Sequence, residues 1–136
     1  MNEFTLETDA VLDNLPQITT FIEDKLTEFG ASDDFRGKMG LALDEAVTNV
    51  VLYAYPQKKG LIRLTLKKAG EDILAEIRDQ GTPYDPTQAP APDLTVPLEQ
   101  RKIGGLGIHL MRKSVDQLSY RHENGSNVFT LSKNMR

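Results

Sequence analysis

The run Leu43-Asp44-Glu45-Ala46-Val47-Thr48-Asn49-Val50-Val51 constrains this chain more than any other. Its apolar residues recur at helical spacing and ask for burial, yet it carries a carboxylate and a carboxamide four positions apart. One such step along a helix sets Glu45 and Asn49 on the same face, one turn above the other. A carboxylate can accept a proton or orient a water, and an amide oxygen is a hard ligand for a magnesium ion that keeps several waters. By itself the pair is an ordinary solvated helix face. What gives it weight is that two glycine-bearing motifs follow it in a set order.

Around this run the chain divides into short elements. Phe4-Thr5-Leu6-Glu7-Thr8 alternates and suits an edge strand. Asp13 or Asn14 can cap a first helix with Pro16 in its first turn, and Gly30 can end it. Between them Leu15, Ile18, Ile22, Leu26 and Phe29 form an apolar stripe. A second helix should start near Ser32-Asp33-Asp34 and run to about Tyr53. Met39, Leu43, Ala46, Val47 and Val50 make its core face, and Pro56 stops it. Two alternating strands follow, around Ile62–Leu66 and Ile73–Ile77, joined by Ala69-Gly70-Glu71-Asp72. The five prolines between residues 80 and 103 then break every period, as a functional loop or lid does. A third helix is expected after Gly104-Gly105-Leu106-Gly107, with Ile108, Met111 and Val115 inward. Gln117–His122 and Asn127–Ser132 close the chain as a hairpin about Asn124-Gly125. The order β, α, α, β, β, lid, α, β, β gives a two-layer α+β sandwich with a mostly antiparallel sheet.

Composition narrows the chemistry. At 136 residues the chain is about one domain long and can bury a core. A formal net charge of -4 argues against a general nucleic-acid surface. The absence of cysteine removes thiolate metal sites and thiol nucleophiles, and two histidines make a multi-histidine metal site improbable. Met1-Asn2-Glu3-Phe4 is neither basic nor followed by a long apolar run, so neither a signal peptide nor a membrane span is expected, and the chain is expected in the cytoplasm.

The two glycine motifs flank the proline-rich loop. Asp79-Gln80-Gly81 directly follows a strand; an aspartate there can accept from an exocyclic amine, and a glycine lets backbone approach a flat base. Gly104-Gly105-Leu106-Gly107 opens a helix whose free amides and positive dipole end suit phosphate. Either motif alone is usually a turn or a helix start, and neither has the spacing of a dinucleotide fold or a P-loop.

Taken together, these stretches resemble the Bergerat-type ATP-binding fold shared by gyrase, histidine kinases and MutL-type ATPases. Within it the chain looks most like the anti-sigma factor serine/threonine protein kinases, the RsbW-like regulators. Leu41–Asn49, Ile77–Pro86 and Gly104–Ile108 carry the resemblance. It implies one ATP-binding kinase domain over residues 1–136, its sheet covered on one face by three helices, with an ATP lid at about 82–103. It implies Glu45 as general base and Asn49 as the magnesium ligand. By the same likeness Asp79 holds the adenine amine, Gly81 lines the base, and Gly104, Gly105 and Gly107 approach the phosphates. ATP and Mg²⁺ would be the cofactors. A STAS-domain anti-anti-sigma protein would be the substrate and a sigma factor the sequestered partner, with a homodimer as the working unit and no part for nucleic acid or membrane. Two departures stand out: Pro83 occupies the place of the second glycine in Asp-x-Gly-x-Gly, and Ser126-Asn127 replaces a Gly-Thr pair, so no adenine contact is carried to that hairpin. Arg101 and Lys102 are available to a γ-phosphate or to solvent. Two other functions fit less well. One is a nucleotide-gated binding module without catalysis, which would not need Glu45. The other is a detached ATP-binding domain of a histidine kinase, where an Asn usually stands in place of Glu45.

Overall fold

Five strands form one antiparallel sheet, and the helices lie against a single face of it. The computed structural model describes residues 2–56, 58–88 and 105–136. The strands are β1 (Glu3–Asp9), β2 (Leu61–Ala69), β3 (Asp72–Asp79), β4 (Gln117–Glu123) and β5 (Ser126–Asn134). Their order across the sheet is β1-β2-β3-β5-β4, so the last strand inserts beside β3 and leaves β4 at the edge. The helices are α1 (Leu15–Glu28), α2 (Asp33–Tyr53) and α3 (Gly105–Ser114). This is the expected α+β architecture, with every helix and strand of the predicted order present.

Local chemistry sets the element ends. Gly30, at φ +88, lets Ala31 N–H donate to Leu26 O at 3.1 Å and Gly30 N–H to Thr27 O at 3.0 Å, the paired bonds of a Schellman stop. Ser32 then accepts from Phe35 N–H at 3.2 Å, and Asp33 and Asp34 meet the positive end of α2. The two helices are thus separated by a single stop-and-start signal. Asn14 precedes α1, but its side chain makes no cap; it donates instead to Thr8 Oγ1 and Asp9 O, both at 3.1 Å, fastening β1 to the start of α1. α3 begins at Gly105, three residues earlier than the sequence suggests. First-turn amides lack helical partners in any case, so glycine costs less there than further along. Asn124 and Gly125, at φ 50 and 78, make the two-residue turn that matches the twist of β4 and β5.

Register converts the strand alternation into a layered core. On the helix face, Phe4, Leu66, Ala75, Leu131 and Leu118 line up across the sheet, and Leu6, Leu64, Ile77, Phe129 and Tyr120 form the next row. Against these rows pack Ile18, Ile22 and Leu26 of α1, Met39, Leu43 and Val47 of α2, and Ile108 and Met111 of α3, all buried. The row beyond them turns polar: Thr8, Ile62, Asp79, Asn127 and His122. The opposite face is wet, as one-sided alternation predicts. There Arg78 and Arg121 reach Glu76 and Glu123 at 3.1 to 3.8 Å, lying over buried Val128.

The polar row is fixed at one end by Tyr55. Its hydroxyl donates to Leu61 O at 2.7 Å and accepts from Gln80 N–H at 2.8 Å, joining the end of α2 to the start of β2 and the residue after β3. The ring leaves no space at Gly60, where a Cβ would fall 2.0 Å from it. Gly60→Ala should therefore destabilise the domain by about 1–3 kcal/mol through overpacking. In a Tyr55→Ala background the same change should cost clearly less, a coupling that urea unfolding of the double-mutant cycle measures.

Candidate functional site

A mostly apolar pocket opens between α2, α3 and the end of the sheet where the polar row lies. Ala46, Asn49, Val50, Tyr53 and Ala54 form the α2 wall, spaced so that one stripe of the helix faces inward. Ile77, Asp79, Phe129, Asn127 and Tyr120 form the floor from three adjacent strands, and Met111 comes from α3. Thr82, Tyr84 and Pro86, at the root of the proline-rich loop, supply the remaining side. Tyr53 and Tyr84 are 42% and 54% exposed and stand where the pocket meets solvent. A chiefly apolar cleft with a few fixed polar groups is what a flat heterocycle requires.

The polar groups are concentrated at Asp79, which is only 6% exposed. Its Oδ1 accepts from Gly81 N–H at 2.8 Å, an Asx turn, and from Asn127 Nδ2 at 2.9 Å. Among the described residues no donor reaches Oδ2, and none of their buried side-chain polar atoms is left without a partner. Oδ2 therefore keeps its accepting capacity and is able to take a donor from a ligand, as an adenine amine would provide.

Asn127 is equally buried, at 6% exposure, and uses its whole amide within the protein. Besides Asp79, Nδ2 donates to Thr82 O at 3.0 Å and more weakly to Gly81 O at 3.4 Å. Oδ1 accepts from the Tyr120 hydroxyl and from Tyr84 N–H at 3.4 Å. Carboxylate and carbonyl partners on one side and donors on the other fix which way the amide points. Burial raises the Tyr120 hydroxyl above its ordinary pKa, and the Asp85 and Asp79 charges add to the shift, which keeps the phenol protonated as a donor.

The expected site residues divide. Asn49 and Asp79 share the pocket, brought together from α2 and the end of β3. Glu45 is half-buried one turn back along α2 and outside the lining, which puts it beyond the pocket wall rather than within it. Gly81 likewise lies outside the lining, and its close approach is to protein: a Cβ there would sit 2.1 Å from Ala54 O. The neighbouring Thr82 N–H donates to that same carbonyl at 2.8 Å, so the missing side chain lets the loop root seat on the end of α2. Gly105 and Gly107 are in the first turn of α3, less than two turns ahead of Met111 in the pocket. Gly104, Arg101, Lys102 and residues 89–103 of the expected lid lie outside the described residues. Pro83 is exposed and is not among the residues that line the pocket. Tyr53 borders the pocket, and Tyr55 is turned to Leu61 and Gln80.

Asp44, the carboxylate next to Glu45, belongs to a different surface. Its Oδ1 accepts from Thr19 of α1 at 3.4 Å. Partial burial raises its carboxyl above the usual value; Thr19 opposes this and the Glu23 charge adds to it. A metal could use Asn49 Oδ1, but no cluster of three His, Cys, Asp or Glu side chains able to hold one occurs among the described residues. That donor set fits magnesium held chiefly by waters and nucleotide phosphates, with one protein oxygen.

Comparison with known proteins agrees with this geometry. Residues 8–133 match the family described as histidine kinase-like ATPase domain. The chain is 39% identical over 98 residues to the serine/threonine-protein kinase BtrW of Bordetella bronchiseptica, covering 71% of this chain and 69% of that one. It is 28% identical over 102 residues to the serine-protein kinase RsbW of Bacillus cereus, covering 72% of this chain and 63% of that relative. The fold is shared with a crystal structure of the RsbU and RsbW domains of a Mycobacterium tuberculosis protein, at TM-score 0.73 and 19% identity, over 99% of this chain and 33% of that one. It is also shared with the catalytic domain of the histidine kinase ThkA, at TM-score 0.57 and 15% identity, over 96% of each chain. The chain belongs to the histidine kinase-like ATPase domain family, on its serine/threonine-protein kinase branch. That family binds ATP, and its branch is one of regulatory kinases.

Two outcomes follow from the geometry. Asp79→Asn should weaken adenine nucleotides by about 1–3 kcal/mol, because a charged acceptor is lost, and calorimetric titration reads this directly. Gly81→Ala should lower stability by about 1–3 kcal/mol even without nucleotide, since the added methyl meets Ala54 rather than only a ligand. Thermal unfolding of the nucleotide-free protein checks it.

Proposed function

We propose that this domain transfers the γ-phosphoryl group of Mg-ATP to a serine or threonine of a STAS-domain anti-anti-sigma protein, and sequesters a sigma factor. The observation that carries the reading is the placement along one face of α2: Asn49 in the wall of a pocket ending at Asp79, and Glu45 one turn before it, half-buried just outside the lining. A nucleotide in the pocket with its base at Asp79 would bring its phosphates along α2 and toward the first turn of α3. The half-exposed Glu45 would meet a hydroxyl arriving from outside.

Phosphoryl transfer asks the protein for positioning, charge neutralisation and a proton acceptor. In this reading the partner's hydroxyl oxygen attacks the γ-phosphorus and the bond to the β-phosphate oxygen breaks, releasing ADP. The hydroxyl proton passes to the Glu45 carboxylate. Asn49 would hold the magnesium ion, which supplies charge neutralisation at the β- and γ-phosphates. The amides of Gly104, Gly105 and Gly107 would donate to phosphate oxygens at the helix start. Exposed Leu41 and Leu52 flank Glu45 along α2, the kind of surface on which a protein substrate can seat. In this reading a homodimer in the cytoplasm would be the working unit.

Incubation with labelled Mg-ATP and the STAS protein encoded nearest to it should put phosphate on a Ser or Thr of that protein. Within α2 the two roles separate. Glu45→Gln keeps the shape but not the proton acceptance, so transfer should fall roughly 10²–10⁴-fold with nucleotide affinity little changed. Asn49→Ala should weaken magnesium-dependent binding and turnover together. Undiminished transfer by Glu45→Gln, measured as phosphopartner formed per minute, would remove Glu45 as the base and leave Asp44 to be tested, whereas no phosphate on the partner with wild type would return the domain to the nucleotide-gated binding module.

A further inference from the structure

We infer that Asn127 is a positioning residue that sets base selectivity, by holding Asp79 so that one carboxylate oxygen stays turned to the ligand. This rests on the reading of the pocket as a purine-nucleotide site, and goes beyond it by assigning a role to a residue that the glycine and helix motifs do not include.

Three observations carry it. First, Asn127 Nδ2 and Gly81 N–H both bond Oδ1 of Asp79, at 2.9 and 2.8 Å, which fixes the carboxylate's rotation and leaves Oδ2 for a donor. Second, Asn127 has no hydrogen-bonding capacity left for a ligand, since Thr82 O takes its other N–H and Tyr84 N–H and the Tyr120 hydroxyl occupy its oxygen. It therefore acts through Asp79. Third, both residues are 6% exposed, so an Asp79 carboxylate released from Asn127 would have to reorganise in a nearly dry site rather than be held by water.

A fixed acceptor at Oδ2 discriminates by chemistry. A 6-amino purine brings an N–H to it; a 6-oxo purine brings a carbonyl oxygen and leaves two acceptors facing each other. Without Asn127 the carboxylate can turn aside, and that repulsion is relieved together with the attraction. The same amide also binds the loop root at Thr82 and Tyr84, so base occupancy and the seating of residues 82–84 share one group.

The test is calorimetric titration of the full chain with ATP and with inosine triphosphate, in magnesium, for wild type and Asn127→Ala. Wild type should prefer ATP strongly. In the variant ATP affinity should fall about tenfold while inosine triphosphate changes little, so the preference shrinks by about the same factor. Equal weakening of both nucleotides would overturn the proposal, since a residue serving only to fold the pocket would act that way; so would an unchanged preference. A wild type that does not prefer ATP would sink the adenine reading of the pocket itself, and the proposal with it. If Asn127→Ala fails to fold, Asn127→Ser, whose hydroxyl is too short to span Asp79 and Thr82, is titrated in the same way and read by the same ratio.

Discussion

A carboxylate placed at the end of an apolar sheet face is stable only if other groups hold it, and here the whole site is arranged around that requirement. Asp79 ends β3 in register with Ile62 on one side and Asn127 on the other. The rows behind it are packed with Ile77, Phe129 and Leu64 against α2, which exclude water from the carboxylate's inner side. The desolvation cost is offset by the Gly81 amide and the Asn127 carboxamide, both on one oxygen. The other oxygen remains for a ligand. Loss of either donor would leave part of a nearly buried charge unsatisfied, so the pocket's polarity and its stability rest on the same bonds.

The surrounding elements serve this point from several directions. Tyr55 ties the end of α2 to Gln80, the residue after Asp79, and Ala54 O receives Thr82 N–H immediately beyond it. The segment from Asp79 to Tyr84 is thus secured by the end of α2 on one side and by Asn127 of β5 on the other. Glycine at position 81 is required by that close seating on Ala54, whatever a ligand also needs there. Helix α2 then offers two positions one turn apart on the same face: Asn49 lines the pocket, and Glu45 lies half-buried just outside the lining, flanked along the helix by exposed Leu41 and Leu52.

Much of the fold could be read directly from the residues because its signals are local. The Gly30 stop and the Ser32 cap, the alternation of β2 and β3, and the Asn124-Gly125 turn each act within a few residues, and each appears where the pattern puts it. Departures arise where a longer-range partner competes. Asn14 bonds back to β1 rather than capping α1. α3 starts inside the glycine run because a first turn tolerates glycine.

By itself the sequence determined the element order, the amphipathic faces and the motifs around Glu45, Asn49, Asp79 and Gly81. Helical spacing, strand alternation and glycine's conformational range are properties of neighbours along the chain. Only the tertiary structure decided that β5 lies between β3 and β4, which carries Asn127 to within 2.9 Å of Asp79 from 48 residues away. No local pattern specifies that pairing, because an inserted strand is selected by the burial of Val128, Phe129 and Leu131 across the sheet. For the same reason Ser126-Asn127 reads as a bare departure from a family motif along the chain. In three dimensions Asn127 is the group that holds the site's carboxylate in place.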